Sequence, residues 1–197
     1  AMSSAVIVLY SLFFAPEKPK NNNNLIEKNK IEQNTDTPSL DQKETLVKIS
    51  REDALKKSKR IKFENESIIG SISLKGAAID DLTFKNYKVS LESDQKVTLL
   101  GPRNIEEGYL IESGFVTTDK NIDIPNSDTS WSIIGNDKLT ETSPIKLSWS
   151  NNQGITFEKH ISLDDQFLFT IKEKIINKSD KSYNFYSYGQ IIRNELP

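Results

Sequence analysis

The chain has 197 residues, 36% of them hydrophobic, and a formal net charge of −2 at pH 7. This length fits one domain with appendages, and the near-neutral balance gives no long-range attraction to nucleic acid or anionic lipid. The absence of cysteine excludes disulfides, thiolate metal sites and cysteine nucleophiles, so an exported domain of this sequence must hold together by packing alone.

Ala5–Ala15 is uncharged and almost wholly apolar. As a helix it would span about 16 Å, roughly half a bilayer core. Three readings fit. It could be the apolar stretch of a signal peptide, although the basic residues that precede such a stretch are missing. It could be a buried helix. It could be the outer half of a transmembrane helix whose remainder precedes residue 1. Tyr10, Phe13 and Phe14 stand just before Pro16, Glu17 and Lys18, the arrangement of an interfacial aromatic belt, and this favours the third reading for residues 1–15. Residues 16–48 contain few large apolar side chains and a run of four asparagines. Such a stretch cannot bury enough surface to offset its ordering entropy, so it is expected to be a flexible tether. Its charges and those of the following residues are mixed in sign, as in a solvated spacer.

A short helix is expected next. Ser50 followed by Asp53 is a capping pattern, Glu52 and Asp53 suit the positive end of the helix dipole, and Leu55 is expected to dock it. From Ile61 the apolar period becomes two. Ile68, Gly70, Ile72 and Leu74 share one face, Gly76 turns the chain, and a second strand runs to Tyr87. Lys96–Leu100 and Trp131–Ile134 supply further strands, with loops at Gly101-Pro102 and over 118–130. Ile145, Leu147 and Trp149 alternate with polar residues, Asn151–Gly154 turns, and Ile155, Phe157, Ile161 and Leu163 alternate again, a strong hairpin signal. Phe167, Phe169, Ile171 and Ile175 form the next face. A polar turn over 177–182 leads to Tyr183, Phe185 and a strand reaching Ile192. Successive strands with short polar turns and no long helical pattern predict an all-β antiparallel sandwich of roughly 130 residues, enough for one core.

No residue pattern carries a reaction. His160 is the only histidine and falls on a polar strand face with Thr156, Glu158 and Ser162, so it cannot build a histidine metal site or a buried triad. The carboxylate pairs Asp80-Asp81, Glu106-Glu107 and Asp164-Asp165 are adjacent in sequence. Strand neighbours point to opposite faces, so they are read as turn and edge residues, not as a glycosidase pair. Trp131 and Trp149 lie in strand patterns and are read as core, not as stacking platforms. Gly70, Gly76 and Gly154 are assigned to a bulge, a turn and a hairpin. No phosphate loop, metalloprotease helix or nucleophile elbow is present. No catalytic, metal or cofactor residue is therefore assigned, and no binding residue can be named.

Several segments, in order over residues 49–197, resemble the periplasmic domain of the YidC membrane protein insertase family. They are Ile49–Leu55, Gly70–Tyr87, Val97–Pro102, Tyr109–Gly114, Leu139–Trp149, Gly154–Glu158, and Tyr188-Gly189 with Arg193. Phe115 departs from the pattern, which has a tryptophan after the glycine. The resemblance implies a β-supersandwich of mutarotase-like shape that is anchored in the bacterial inner membrane and faces the periplasm. It implies insertion and folding of membrane proteins, alone or with the Sec translocon. The expected partners are Sec components and nascent membrane proteins, with the lipid bilayer met through the N-terminal helix, and no nucleic acid. No enzyme activity and no cofactor are implied. The insertion work of such proteins lies in a later helical bundle, so residues 1–197 alone are expected to lack it. A mutarotase would need converging acid and base groups, which one histidine on a polar face does not provide. The alternative is a free-standing anchored binding module for carbohydrate or a protein partner. On this resemblance Pro197 is expected to fall inside the β-domain, so an open edge strand or unfilled groove is expected near the C-terminus.

Overall fold

The computed structural model describes residues 49–195. The apolar stretch over 1–15 and the tether over 16–48, together with any expected mobility there, lie outside the described residues. Ser50 caps helix α1 (Arg51–Leu55), its Oγ accepting from the Asp53 amide at 3.1 Å. The docking residue is Ala54, which is buried, while the expected Leu55 is only half-buried. A five-residue helix turns a single position squarely to the sheet, and here that position is the small one.

Eleven strands follow: β1 (Arg60–Glu64), β2 (Ile68–Ser73), β3 (Ile79–Lys88), β4 (Lys96–Leu100), β5 (Tyr109–Thr117), β6 (Ser132–Ile134), β7 (Lys138–Leu139), β8 (Ile145–Ser150), β9 (Ile155–Leu163), β10 (Phe169–Asn177) and β11 (Phe185–Arg193). They form two sheets. One has the order β11-β5-β3-β2-β1-β7 with β4 also on β3, and the other has the order β10-β9-β8-β6. This is the predicted all-β sandwich. Pairing is antiparallel except for β7, which lies parallel to β1. The connection from β2 to β3 closes where the Ser73 amide donates to the Ala78 carbonyl, and it turns through Gly76 and Ala77, both at positive φ (72° and 53°). The expected hairpin of β8 and β9 forms with Trp149 opposite Phe157. Phe167 is a correction: it stands in the turn before β10, because Asp164 accepts from the Gln166 and Leu168 amides and holds that turn closed.

The core lies between the sheets. Ile61, Phe63, Ile68, Ile72, Leu139, Leu147, Ile155 and Phe157 are fully buried. Trp131 is buried and Trp149 packs against the core, as expected of both. Gly70 sits where strands cross closely, and a Cβ there would collide with the Asp81 carbonyl and the Phe63 ring. The bulge assigned to Gly70 falls one step on, at Ser71/Ile72.

That bulge overturns the reading of Asp80 and Asp81 as edge residues on opposite faces. Ser71 pairs with Asp81 and Ile72 with Ile79, so Asp80 is the extra residue and both carboxylates turn to the same side. Both are buried there. Arg60 pairs with Asp80 and Arg51 with Asp81, and Ser71 bridges, donating to Asp81 at 2.5 Å and accepting from Arg60 at 2.7 Å. Through Arg51 the cluster ties α1 to the large sheet.

Burial raises the Asp80 pKa above its usual value of 3.8, and Arg60 only partly opposes it. A carboxyl whose folded pKa is raised favours folding most when protonated, so its contribution falls as pH rises from 3.8 through the folded value. The native chain should therefore gain stability relative to the double variant Arg60→Met/Asp80→Leu as pH drops across that window. Paired urea melts at about pH 3 and pH 6 check this. The opposite slope would mean that Arg60 outweighs burial.

Candidate functional site

An apolar cleft opens on the described residues. Where the two sheets part, the inner face of β2, β3, β4 and β5 and the start of β10 enclose a cleft of about 520 Å³. The alternation of β3 brings Leu82 and Phe84 to it, β4 adds Val97, Leu99 and Leu100, and the turn before β10 adds Phe167. Phe84 meets Tyr87 and Phe167 edge to face, with ring centroids 5.4 and 5.9 Å apart. Tyr87, Leu99 and Phe167 stay 57%, 41% and 47% exposed. All of its lining side chains are apolar or aromatic. Such a surface can take up apolar side chains by dehydration. Its one polar side-chain atom is the Tyr87 hydroxyl.

The titratable groups sit elsewhere. His160 is exposed, as expected, with Nε2 3.5 Å from Glu158. Lys146 bonds Glu158 at 2.7 Å and, with a smaller effect from His160, holds its carboxyl below the usual range. Glu158 is buried and Lys146 half-buried, so this is a partly buried ion pair. Asp164-Asp165 form the turn that the sequence implied.

A second cluster lies between the sheets. Lys159 Nζ is 2.8 Å from Glu173 and 3.0 Å from Ser113 Oγ, and it also donates to the Ser113 carbonyl. Ser113 Oγ donates to Glu173 at 2.9 Å. The ammonium stands 5.6 Å from the centre of the Trp131 ring, within cation–π range. Burial pushes the Lys159 pKa down against the pull of Glu173. The Ser113–Lys159 spacing suits a nucleophile and base, but Lys159 is only 3% exposed and Glu173 takes both hydrogens. The cluster is a structural tie.

Sequence reasoning passed over all three residues. A signal was there, since Lys159 and Glu173 occupy inward positions of the period-two pattern, between Phe157 and Ile161 and between Ile171 and Ile175. Among the described residues, His, Asp and Glu do not gather in a group that could hold a metal ion. No described helix is long and apolar enough to cross a membrane.

The family description "YidC periplasmic domain" matches residues 60–197. Over all 197 residues the chain is 70% identical to the membrane protein insertase YidC of Pelagibacter ubique and covers 35% of it. It is 34% identical over 155 residues, 78% of this chain, to YidC of Mesorhizobium japonicum, covering 26% of that protein. To YidC of Brucella suis it is 35% identical over 158 residues, 80% of this chain and 26% of that one. The chain thus spans about a third or less of the length of these relatives.

Proposed function

The chain belongs to the YidC family, in the part described as the periplasmic domain, and from this premise we propose that it is the periplasmic portion of a bacterial inner-membrane insertase. The whole protein would insert and help fold inner-membrane proteins, alone or beside the Sec translocon. The observation that carries this is the match over residues 60–197. The site agrees with it in kind, because it offers apolar surface for polypeptide and no reacting group. On this reading residues 1–15 end a transmembrane helix that meets the bilayer, 16–48 tether the domain, and 49–197 form the periplasmic β-domain. Its partners are nascent membrane proteins and Sec components. The domain does no bond-making chemistry.

The test is complementation. The full-length protein that carries this chain is expressed in cells depleted of their own insertase, and insertion of a small membrane protein is followed by protease protection. We expect insertion to be restored by the full-length protein and not by residues 1–197. If the full-length protein is present in the inner membrane and insertion stays at the depleted level, the proposal fails.

A further inference from the structure

The outer face of the small sheet carries basic side chains in register. On β9, Phe157, Lys159 and Ile161 are turned inward and buried, so Glu158 and His160 are turned outward. Strand pairing then builds a row across the sheet. His160 lies opposite Lys146 of β8 on one side and opposite Lys172 of β10 on the other. Lys146 in turn lies opposite Ile134 of β6. Neighbouring strands are about 4.8 Å apart, so the three basic residues of the row start within about 10 Å of one another. In the next row Lys174 lies opposite Glu158.

Glu158 is the single acid that these strands place on the outer face. It bonds Lys146 at 2.7 Å and meets His160 at 3.5 Å. It is buried, whereas Lys172, Lys174 and His160 are exposed, so solvent meets the basic groups. The arrangement works against the fold. Like charges directly opposite each other in a sheet are destabilising, and Lys146 and Lys172 impose this on a protonated His160 from both sides. Lysine on an edge strand can serve to block strand addition. That accounts for β10 but not for Lys146 and His160, which lie on the inner strands β8 and β9. What the row shares is attraction for negative charge.

We propose that this face rests on the phosphate groups of anionic phospholipid headgroups, at the surface of the bilayer that carries the domain. The chemistry of the face selects this partner. Lysines and the hydroxyls of Ser148, Ser150 and Thr156 cover a flat sheet, which matches a plane of phosphates. Protein interfaces are enriched in aromatic residues and arginine and depleted in lysine, and the outward positions of these strands hold no Phe, Tyr, Trp or Arg. Ile134, half-exposed beside Lys146, sets an apolar side chain next to a cation, as at membrane interfaces. The chain's net charge of −2 gives no attraction at long range. The face acts locally, within a screening length of about 8 Å, and each lysine near an anionic surface adds roughly fivefold in affinity. This modest attraction is enough for a domain held beside the bilayer by its own molecule, and in that respect the proposal rests on the insertase reading.

The test uses the full-length protein in nanodiscs of phosphatidylcholine, with or without about 30% phosphatidylglycerol. The chain has no cysteine, so with any cysteines elsewhere replaced, Ser150→Cys places a unique fluorophore at an exposed position of the face. Quenching by a lipid with a nitroxide on its headgroup reports contact. We expect quenching that needs phosphatidylglycerol. Lys172→Glu/Lys174→Glu should lower the equilibrium constant for contact by at least about tenfold. Lys172→Gln/Lys174→Gln repeats the reading should the reversed pair fold poorly. Lys62→Glu/Lys96→Glu, the same change in net charge at exposed lysines of the large sheet, should leave most of the quenching in place.

Equal loss in the two reversed pairs would mean that net charge alone matters and would overturn the proposal. A labelled face that ignores phosphatidylglycerol overturns it as well and leaves an acidic protein surface as the occupant. A protein that does not enter the nanodisc at all fails the insertase reading and this proposal together, whereas one that enters without quenching fails this proposal alone.

Discussion

Phe157→Ala should lower the stability of the domain by about 3–5 kcal/mol, a drop of roughly 2 M in the urea midpoint. Phe157 is fully buried on β9. Its ring centroid lies 5.6 Å from Phe185 on β11, 5.8 Å from Phe115 on β5 and 5.8 Å from Trp149 on β8. It therefore touches both sheets. Removing it costs the transfer of the ring and leaves a cavity that the paired strands cannot collapse into. Aromatic edge contacts add about 0.5–1.5 kcal/mol each beyond burial. Tyr186→Ala is the control. Tyr186 is 57% exposed on β11, and a surface change there should stay within about 0.5 kcal/mol. If Phe157→Ala unfolds with the midpoint of Tyr186→Ala, the sheets are not held together by this cluster.

The second large effect is expected at Lys159. Lys159→Met leaves Glu173 as a carboxylate between the sheets without its cation. Breaking a buried pair in this way costs about 3–5 kcal/mol. The pair itself need not be worth that much, since desolvation consumes most of its attraction, which agrees with burial lowering the Lys159 pKa in spite of Glu173. The combined variant Lys159→Met/Glu173→Leu/Ser113→Ala removes both charges and the hydroxyl that donates to Glu173. It should recover most of the loss. Urea melts of the single and combined variants decide the matter. A combined variant as unstable as Lys159→Met would mean that the polar tie contributes net stability.

The Asp80-Asp81 and Lys159 clusters mark where reading by period two runs out. Alternation correctly put Ile68, Ile72, Leu147 and Phe157 inside and His160 outside. It put Asp80 and Asp81 on opposite faces, and the structure puts them on one. A bulge is a property of the pairing between two strands, and no residue of β3 alone announces it. Likewise Lys159 stood in an inward register, but its burial is tolerable only because Glu173 lies directly opposite on β10 and Ser113 reaches it from the other sheet.

The sequence by itself determined the sandwich class, the turns at Gly76 and Gly154, the capped helix at Ser50 and the family resemblance. These rest on local chemistry: strand periodicity, backbone conformations that glycine tolerates, side-chain capping and the residue types available. Only the tertiary structure decided the split into a large and a small sheet, the parallel pairing of β7 with β1, and the alignment of β4 and β5 along one edge of β3. It also decided the apolar cleft beside that edge. Those features depend on which strands lie next to each other, and contacts between residues far apart in the chain leave no mark on the local pattern of either partner.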